Sequence, residues 1–231
     1  MEQTLYVRLE IPGTGRVLVP VTVSDEPWKG DLAVTGPEAV TPRRITDAAR
    51  RKLGLPLFIG ETDRVILREF TEQDLPAIRE LKLTETDTKL LGPSAGQLCN
   101  GDFLRHYIRN QYPLYGFGLW GVFRKEERGE DPGTERKEAG TLVGMAGFGM
   151  PEGETGPGEE GLPELGYFTA PSYRRKGYAE EACRVCLLYA EEELGFDVVL
   201  LRVRKENLSS LALGQKLLQG GMFQNVHLLV R

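Results

Sequence analysis

Glu164-Leu165-Gly166-Tyr167-Phe168-Thr169-Ala170-Pro171-Ser172-Tyr173-Arg174-Arg175-Lys176-Gly177-Tyr178-Ala179 is the stretch that decides how this chain is read. A strand runs from Glu164 to about Thr169. A short loop with three consecutive cations follows, then Gly177, and a long helix begins at once. That helix spans Ala179 to Leu194, because Ala179, Ala182, Cys183, Cys186, Leu187, Ala190 and Leu194 fall on one helical face and Gly195 marks the exit. A helix start offers unpaired N–H groups and the positive end of the dipole. Gly177 allows close backbone approach, and Arg174, Arg175 and Lys176 add charge. Two readings stand: a phosphate or pyrophosphate site, or a solvated basic turn. Neither Gly-x-x-x-x-Gly-Lys-Ser/Thr nor Gly-x-Gly-x-x-Gly is present.

Working outward, Val198–Arg204 reads as a strand buried on both faces, Ser209–Leu218 as a helix and Met222–Val230 as a closing strand. Upstream, Gly118–Arg124 and Thr141–Met150 are strands separated by the charged run Lys125–Gly140, a hairpin loop. Pro151–Pro163 is Gly-rich and acidic, either a surface loop or a rim that attracts a cationic acceptor. Phe103–Gln111 is a helix and Arg64–Phe70 a strand. Thr71-Glu72-Gln73-Asp74 is a helix-capping signal that opens a helix through Leu75, Ile78 and Leu81.

The first sixty residues differ in character. Tyr6–Ile11 and Arg16–Val23 form a β-hairpin around Pro12-Gly13-Thr14-Gly15. Asp25–Pro42 reads as loop, Ile45–Leu53 as a short helix and Gly54–Gly60 as a connector. Arg50, Arg51 and Lys52 either complement that helix's dipole or form a docking patch for an anionic partner.

Composition narrows the function. The chain has 231 residues, 40% hydrophobic and 27% charged, with net charge −5, so it is globular and does not grip nucleic acid through bulk positive charge. Three cysteines make no disulfide framework, which points to a reducing compartment. Met1-Glu2-Gln3 has no secretion-signal character, and no apolar run reaches the roughly 20 residues that span a bilayer. The expected location is the cytoplasm. Two histidines without His-x-x-x-His spacing argue against a zinc hydrolase, and no metal site is expected.

Arg174-x-x-Gly177-x-Ala179 resembles the acyl-CoA pyrophosphate loop of the GNAT acetyltransferases. The context strengthens this likeness: Glu-Leu-Gly-Tyr on the preceding strand, then helix, strand, Glu206-Asn207, Ser210 and a helix with Lys216-Leu217. That order is similar to the RimJ/RimL-type branch, whose namesakes acetylate N-termini of ribosomal proteins. Arg68-Glu69-Phe70-Thr71-Glu72-Gln73-Asp74 and Tyr115-Gly116-Phe117-Gly118-Leu119-Trp120 are similar to it as well. The resemblance covers about residues 63–220. It implies an α+β fold, a mixed, mostly antiparallel sheet flanked by helices, in a domain over 63–231. Residues 1–62 are then a small N-terminal extension of unknown role.

The resemblance further implies acetyl-CoA as co-substrate and direct attack by a primary amine. The strand over Leu165–Thr169 splays from Val198–Arg204, and the pantetheine arm lies in the gap on backbone at Tyr167, Phe168 and Thr169. Amides from Arg174 through Arg175, Lys176, Gly177, Tyr178 and Ala179 hold the pyrophosphate, and Asn207 bonds the arm. The N–H of Tyr167 or Phe168 is the oxyanion donor, a group whose loss typically costs about 10²–10³ in rate. Glu164 is either the general base or a structural acid paired with an arginine. The tyrosine that many relatives use as general acid is replaced by Gly214; Ser210 is the substitute donor. Lys216-Leu217-Leu218-Gln219 and a closing hairpin cut to one strand are further departures. They leave the acceptor pocket more open, or completed by residues 1–62 or a second subunit.

Deprotonating a lysine at pH 7 costs about 4.6 kcal/mol and an α-amine about 1 kcal/mol. A modest base acting through water could serve an α-amine; a protein or peptide α-amine is the favoured acceptor, with a small-molecule amine as the alternative. A second copy of the chain is an allowed partner; DNA and membranes are not expected. The rival functions are a non-catalytic acyl-CoA-binding module and an interaction module worked by residues 1–62. Cys183-x-x-Cys186 reads as helix packing before redox chemistry, His106 as helix surface and Trp120 as core before acceptor platform. Tyr112 and Tyr115 line the acceptor cleft or pack the core.

Overall fold

The computed structural model describes residues 3–11, 14–23, 32–34, 36–91, 93–125, 140–150, 156, 158–219, 223 and 226–230. Most of the loop read at 125–140, the first part of the loop read at 151–163, the start of the loop read at 25–42, and the Pro12-Gly13 turn pair lie outside these residues. The chain forms two compact units, 1–57 and 58–231.

In the first unit, β1 (Gln3–Ile11) and β2 (Gly15–Val23) pair antiparallel from Gln3↔Val23 to Ile11↔Gly15. Inside the stretch read as loop, β3 (Leu32–Val34) joins β2 in parallel. α1 (Pro42–Lys52) starts earlier than the hydrophobic periodicity indicates. Pro42 fits the first helical position, and the Thr41 hydroxyl accepts from the Arg44 N–H at 3.2 Å. Val17, Val19, Val21 and Val34 pack with Ala48 and Ala49 as this unit's own core. Arg50 is committed locally, its Nε donating to the Pro56 carbonyl at 3.0 Å.

The second unit begins with β4 (Phe58–Glu61), a strand inside the stretch read as a connector over Gly54–Gly60. β5 (Val65–Arg68) follows, then a 3₁₀ turn at Glu72–Asp74, α2 (Leu75–Glu80), α3 (Glu85–Leu91), α4 (Pro93–Gln97) and α5 (Gly101–Tyr115). The rest is β6 (Leu119–Arg124), β7 (Thr141–Gly149), β8 (Glu164–Thr169), α6 (Tyr178–Tyr189), β9 (Val199–Val203), α7 (Leu208–Leu218) and β10 (Val226–Val230). Seven strands form one sheet, ordered β10-β9-β8-β7-β6-β5-β4. β4 to β8 are mutually antiparallel, while β8, β9 and β10 run parallel. The mixed, mostly antiparallel sheet expected from sequence is therefore present.

α6 buries Ala182, Cys183, Val185, Cys186, Leu187 and Tyr189 against this sheet. A side chain at Gly60 of β4 would meet Val185 Cγ1 at 2.7 Å, so β4 needs glycine where the helix crosses it. Past Tyr189 the helix widens into a π turn over Ala190–Leu194 and stops at Gly195, whose φ is 62°. The buried cysteine pair is packing, and burial pushes both thiols up. Trp120 is fully buried, with its ring edge-to-face on Phe148 and Tyr189. Tyr112 is core as well: its hydroxyl donates to the Leu119 carbonyl at 2.6 Å and accepts from the Phe70 N–H. Tyr115 and His106 are exposed. No helix among the described residues is long and apolar enough to cross a membrane.

The Thr71-to-Asp74 signal is a true capping box, and Arg68 adds to it. Asp74 accepts from Arg68 Nη1 and Nη2, both at 2.8 Å, and from the Thr71 N–H at 2.7 Å. Burial alone would raise the Asp74 carboxyl, but the bonds from Arg68 and Thr71 overcome it and hold it below its ordinary value. Its stabilisation is therefore present above the unfolded-state value near 4 and is lost as pH falls through the lower folded-state value. Asp74→Ala strands Arg68 in a mostly buried site and is expected to cost about 3 kcal/mol in urea denaturation followed at the second unit. A loss under about 0.5 kcal/mol, the range of ordinary surface substitutions, would contradict this.

Candidate functional site

β8 is bonded along its whole length on one side only. It pairs with β7 from Glu164↔Gly149 to Thr169↔Gly144, but meets β9 at the single pair Glu164↔Leu200. The Leu200 N–H donates to the Pro163 carbonyl at 2.8 Å, and beyond that point the two strands separate. The register fixes which groups face the opening. The Ala170 N–H donates to the Val143 carbonyl at 2.9 Å, so alternation turns Phe168 and Gly166 toward β7 and Tyr167 and Thr169 toward the gap. A Cβ on Gly144 would run into the Phe168 carbonyl oxygen, the same arrangement seen from β7.

This corrects the expected role of Phe168. Its backbone belongs to the β7 ladder, and its buried ring lies 5.5 Å from the Arg174 guanidinium. Of the two candidate donors at the opening, only the Tyr167 N–H points into it. The Thr169 carbonyl is occupied by Arg174 Nε at 2.9 Å.

The loop after β8 makes a 3₁₀ turn over Pro171–Tyr173 and enters α6 at Gly177. Arg175 (φ 60°) and Gly177 (φ 86°) are both left-handed, which turns successive N–H groups to one side as an anion nest. The N–H groups of Arg175, Lys176, Gly177, Tyr178, Ala179 and Glu180 have no partner among the described residues. Arg174 departs from the expected set: its N–H bonds the Pro171 carbonyl, and its guanidinium turns back to Thr169 and to Asp87 of α3 at 3.6 Å. Lys176 Nζ lies 5.5 Å from the Tyr173 ring. The first-turn carboxylates of α6 do not fill the nest. Glu180 bonds Lys216 Nζ at 2.6 Å and Arg184, which hold it below its ordinary value. Glu181 bonds Thr62 and Arg64.

Arg64 is the residue that sequence reading missed. Its Nη1 donates to the Lys176 carbonyl at 3.0 Å, its Nε to Glu181 at 2.7 Å, and its guanidinium lies 5.1 Å from the Tyr178 ring. It braces the nest from β5's approach, and no local pattern reveals a partner so distant in sequence. α3 was missed as well, although Thr84-x-x-Asp87 repeats the capping signal of Thr71-x-x-Asp74. Asp87 accepts from the Thr84 N–H at 2.9 Å.

Glu164 lies at the closed end of the opening with Arg202 Nε at 3.5 Å, and the same guanidinium reaches Glu159 at 3.1 Å. Asn207 caps α7, its Oδ1 accepting from the Ser210 N–H at 3.1 Å. Ser210 neighbours the Tyr167 hydroxyl on the α6 and α7 side of the sheet. Gly214 is packed by Leu228 and Leu201; a Cβ there would come 2.9 Å from Leu228, so β10 fills the space of any side chain at this position. Among the described residues, no group of three or more His, Cys, Asp or Glu could hold a metal ion.

A one-sided strand beside an anion nest suits a ligand with an extended amide arm and phosphates. The acetyltransferase (GNAT) domain family matches residues 64–217. This chain belongs to the GNAT acetyltransferase family. An uncharacterized N-acetyltransferase of Bacillus subtilis (strain 168), YoaA, is 26% identical over 152 residues, 66% of this chain and 77% of that protein. A GNAT-family acetyltransferase of Bordetella pertussis shares the fold with TM-score 0.50 at 20% identity, over 70% of this chain and 86% of that one. The ribosomal L7/L12 α-N-protein acetyltransferase RimL gives TM-score 0.49 at 15% identity, over 70% and 80% of the two chains. As a GNAT enzyme the protein is an acetyl-CoA-dependent acetyltransferase. The nest fits the diphosphate, and the open edge of β8 fits the pantetheine amides.

Arg64→Ala is expected to weaken CoA binding about fivefold or more in calorimetric titration, the worth of one hydrogen bond to the loop, with kcat at saturating acetyl-CoA little changed. An unchanged Kd would remove Arg64 from the site.

Proposed function

We propose that this GNAT domain acetylates a primary α-amine on a protein or peptide by direct attack in a ternary complex. The observation that carries the reading is the parting of β8 and β9 beside the Arg175–Glu180 nest. Acetyl-CoA supplies the thioester when bound. Residues Arg175 to Ala179 would hold its diphosphate by backbone N–H groups, with Arg175 and Lys176 adding charge. Backbone at Tyr167 and Thr169 would pair with its arm, and Asn207 would bond the arm from the loop before α7. The Tyr167 N–H would take the negative charge that develops on the carbonyl oxygen.

The preference for an α-amine rests on the modest base it requires. Among the described residues, Glu164 and Glu159 share Arg202 in an ion pair. No strong base is needed for an α-amine, whose deprotonation at pH 7 costs about 1 kcal/mol; a lysine at about 4.6 kcal/mol would need one. We accordingly assign Glu164 to holding the closed end of the gap. The enzyme is proposed to work in the cytoplasm, where Cys99, Cys183 and Cys186 remain thiols.

CoA thiol release should be followed with two acceptor pools, one of peptides with varied free N-termini and one of polyamines, aminoglycosides and amino acids. Release with the peptides is expected; release only with the second pool would move the acceptor to small amines. Gly177→Asp is expected to abolish CoA binding, since it puts a side chain and a negative charge in the nest at a left-handed position. Retained affinity would displace the site. Glu164→Gln is expected to lower kcat less than about tenfold, because general-base loss typically costs about 10²–10⁴. A fall in that larger range would make Glu164 the base.

A further inference from the structure

The Tyr167 side chain has no part in the account above, which uses only its backbone. Its hydroxyl oxygen is shielded from solvent and has no hydrogen-bond partner of normal geometry among the described residues. Buried hydroxyls are nearly always bonded, so an unpartnered one calls for a ligand or a water. Its place is informative. Tyr167 lies on the part of β8 that has left β9, and its ring points between α6 and α7, beside Cys183 and Ser210. The same side of the sheet carries the nest at the start of α6. A cofactor arm held at that nest and laid along the open edge of β8 runs beside this hydroxyl.

We propose that the Tyr167 hydroxyl is the hydrogen-bond donor to the thioester sulfur as it departs. This rests on the acyl-transfer reading. In the step, the amine nitrogen bonds to the acyl carbon and the carbon–sulfur bond breaks, leaving its electron pair on sulfur. The amine's surplus proton goes to water. The Tyr167 hydroxyl donates to the sulfur and keeps its proton.

Acidity explains why the proton stays. Burial pushes the Tyr167 hydroxyl up to about 12, with a smaller push from Cys183 and a small opposing pull from Ser210. A CoA thiol near 8.5 is more than three orders of magnitude more acidic, so full transfer from tyrosine is uphill. A neutral donor aimed at a developing anion needs no transfer to lower the barrier. Backbone N–H and side-chain O–H of one residue would then serve the two atoms that gain charge, the carbonyl oxygen and the sulfur. Gly214, packed under Leu228, carries no side-chain donor, and Ser210 of α7 lies beside the Tyr167 hydroxyl itself.

The test needs no identified acceptor. The affinity of the full-length protein for CoA is measured from pH 6.5 to 9.5, with desulfo-CoA as the probe that lacks the sulfur. In the wild type, CoA is expected to tighten about tenfold as its thiol ionises, the worth of a hydrogen bond to a charged group, while desulfo-CoA shows no such gain. Tyr167→Phe removes only the oxygen and is expected to abolish the gain while leaving desulfo-CoA affinity unchanged. A gain that survives in Tyr167→Phe overturns the proposal and leaves the acetyltransferase reading standing. If that variant does not fold, the wild type still decides: no tightening with pH for CoA relative to desulfo-CoA overturns it. Failure of the wild type to bind either probe takes down the cofactor site itself.

Discussion

The single pair Glu164↔Leu200 is the constraint on which the site depends. Parallel strands in a buried sheet normally stay bonded, because an unpaired peptide group away from water is costly. Here β8 cannot drift to relieve that cost. Its other edge is bonded to β7 over six residue pairs, through glycines such as Gly144 that let the backbones approach closely. Arg202 ties the closed end to Glu164 and Glu159, and Arg174 ties the far end to Thr169 and Asp87. The opening between them is held from both ends, with backbone groups of known direction along it. Pre-set geometry of this kind is what a site needs if binding is to spend little on ordering.

The nest is built on the same principle. Gly177 supplies a left-handed turn without strain, Arg175 adopts one at some cost, and Arg64 holds the Lys176 carbonyl from behind. The two glutamates at the helix start would repel an anion if free. Each is matched with a cation from elsewhere in the fold, Glu181 with Arg64 and Glu180 with Lys216. The positive end of the α6 dipole is thus left for an external ligand, and the basic residues of the loop add to it.

Much of this was legible from local pattern. The strand, basic turn, Gly177 and amphipathic helix announce the nest; the alternation at Arg64–Phe70 and the capping signal at Thr71 announce β5 and the turn after it. The gap itself was implied by resemblance and is fixed by register. What sequence could not show depends on distant partners: Arg64 on Glu181, Glu164 on Arg202, and Phe168 against Tyr167 as the residue facing the opening. Only pairing decides the last of these, since a one-residue change of phase exchanges the two. β4 was missed because Gly60 reads as a breaker, whereas it marks the crossing of Val185 over an edge strand. α3 was missed despite carrying the signal that was recognised at Thr71.

The most direct test of the account is amide protection in the full-length protein with and without acetyl-CoA, resolved by residue. Slower exchange is predicted at Tyr167, Thr169 and Arg175 through Glu180, with Phe168 unchanged because its N–H already belongs to the β7 ladder. Protection at Phe168 in place of Tyr167, or no change over 175–180 while acetyl-CoA is bound, would contradict it.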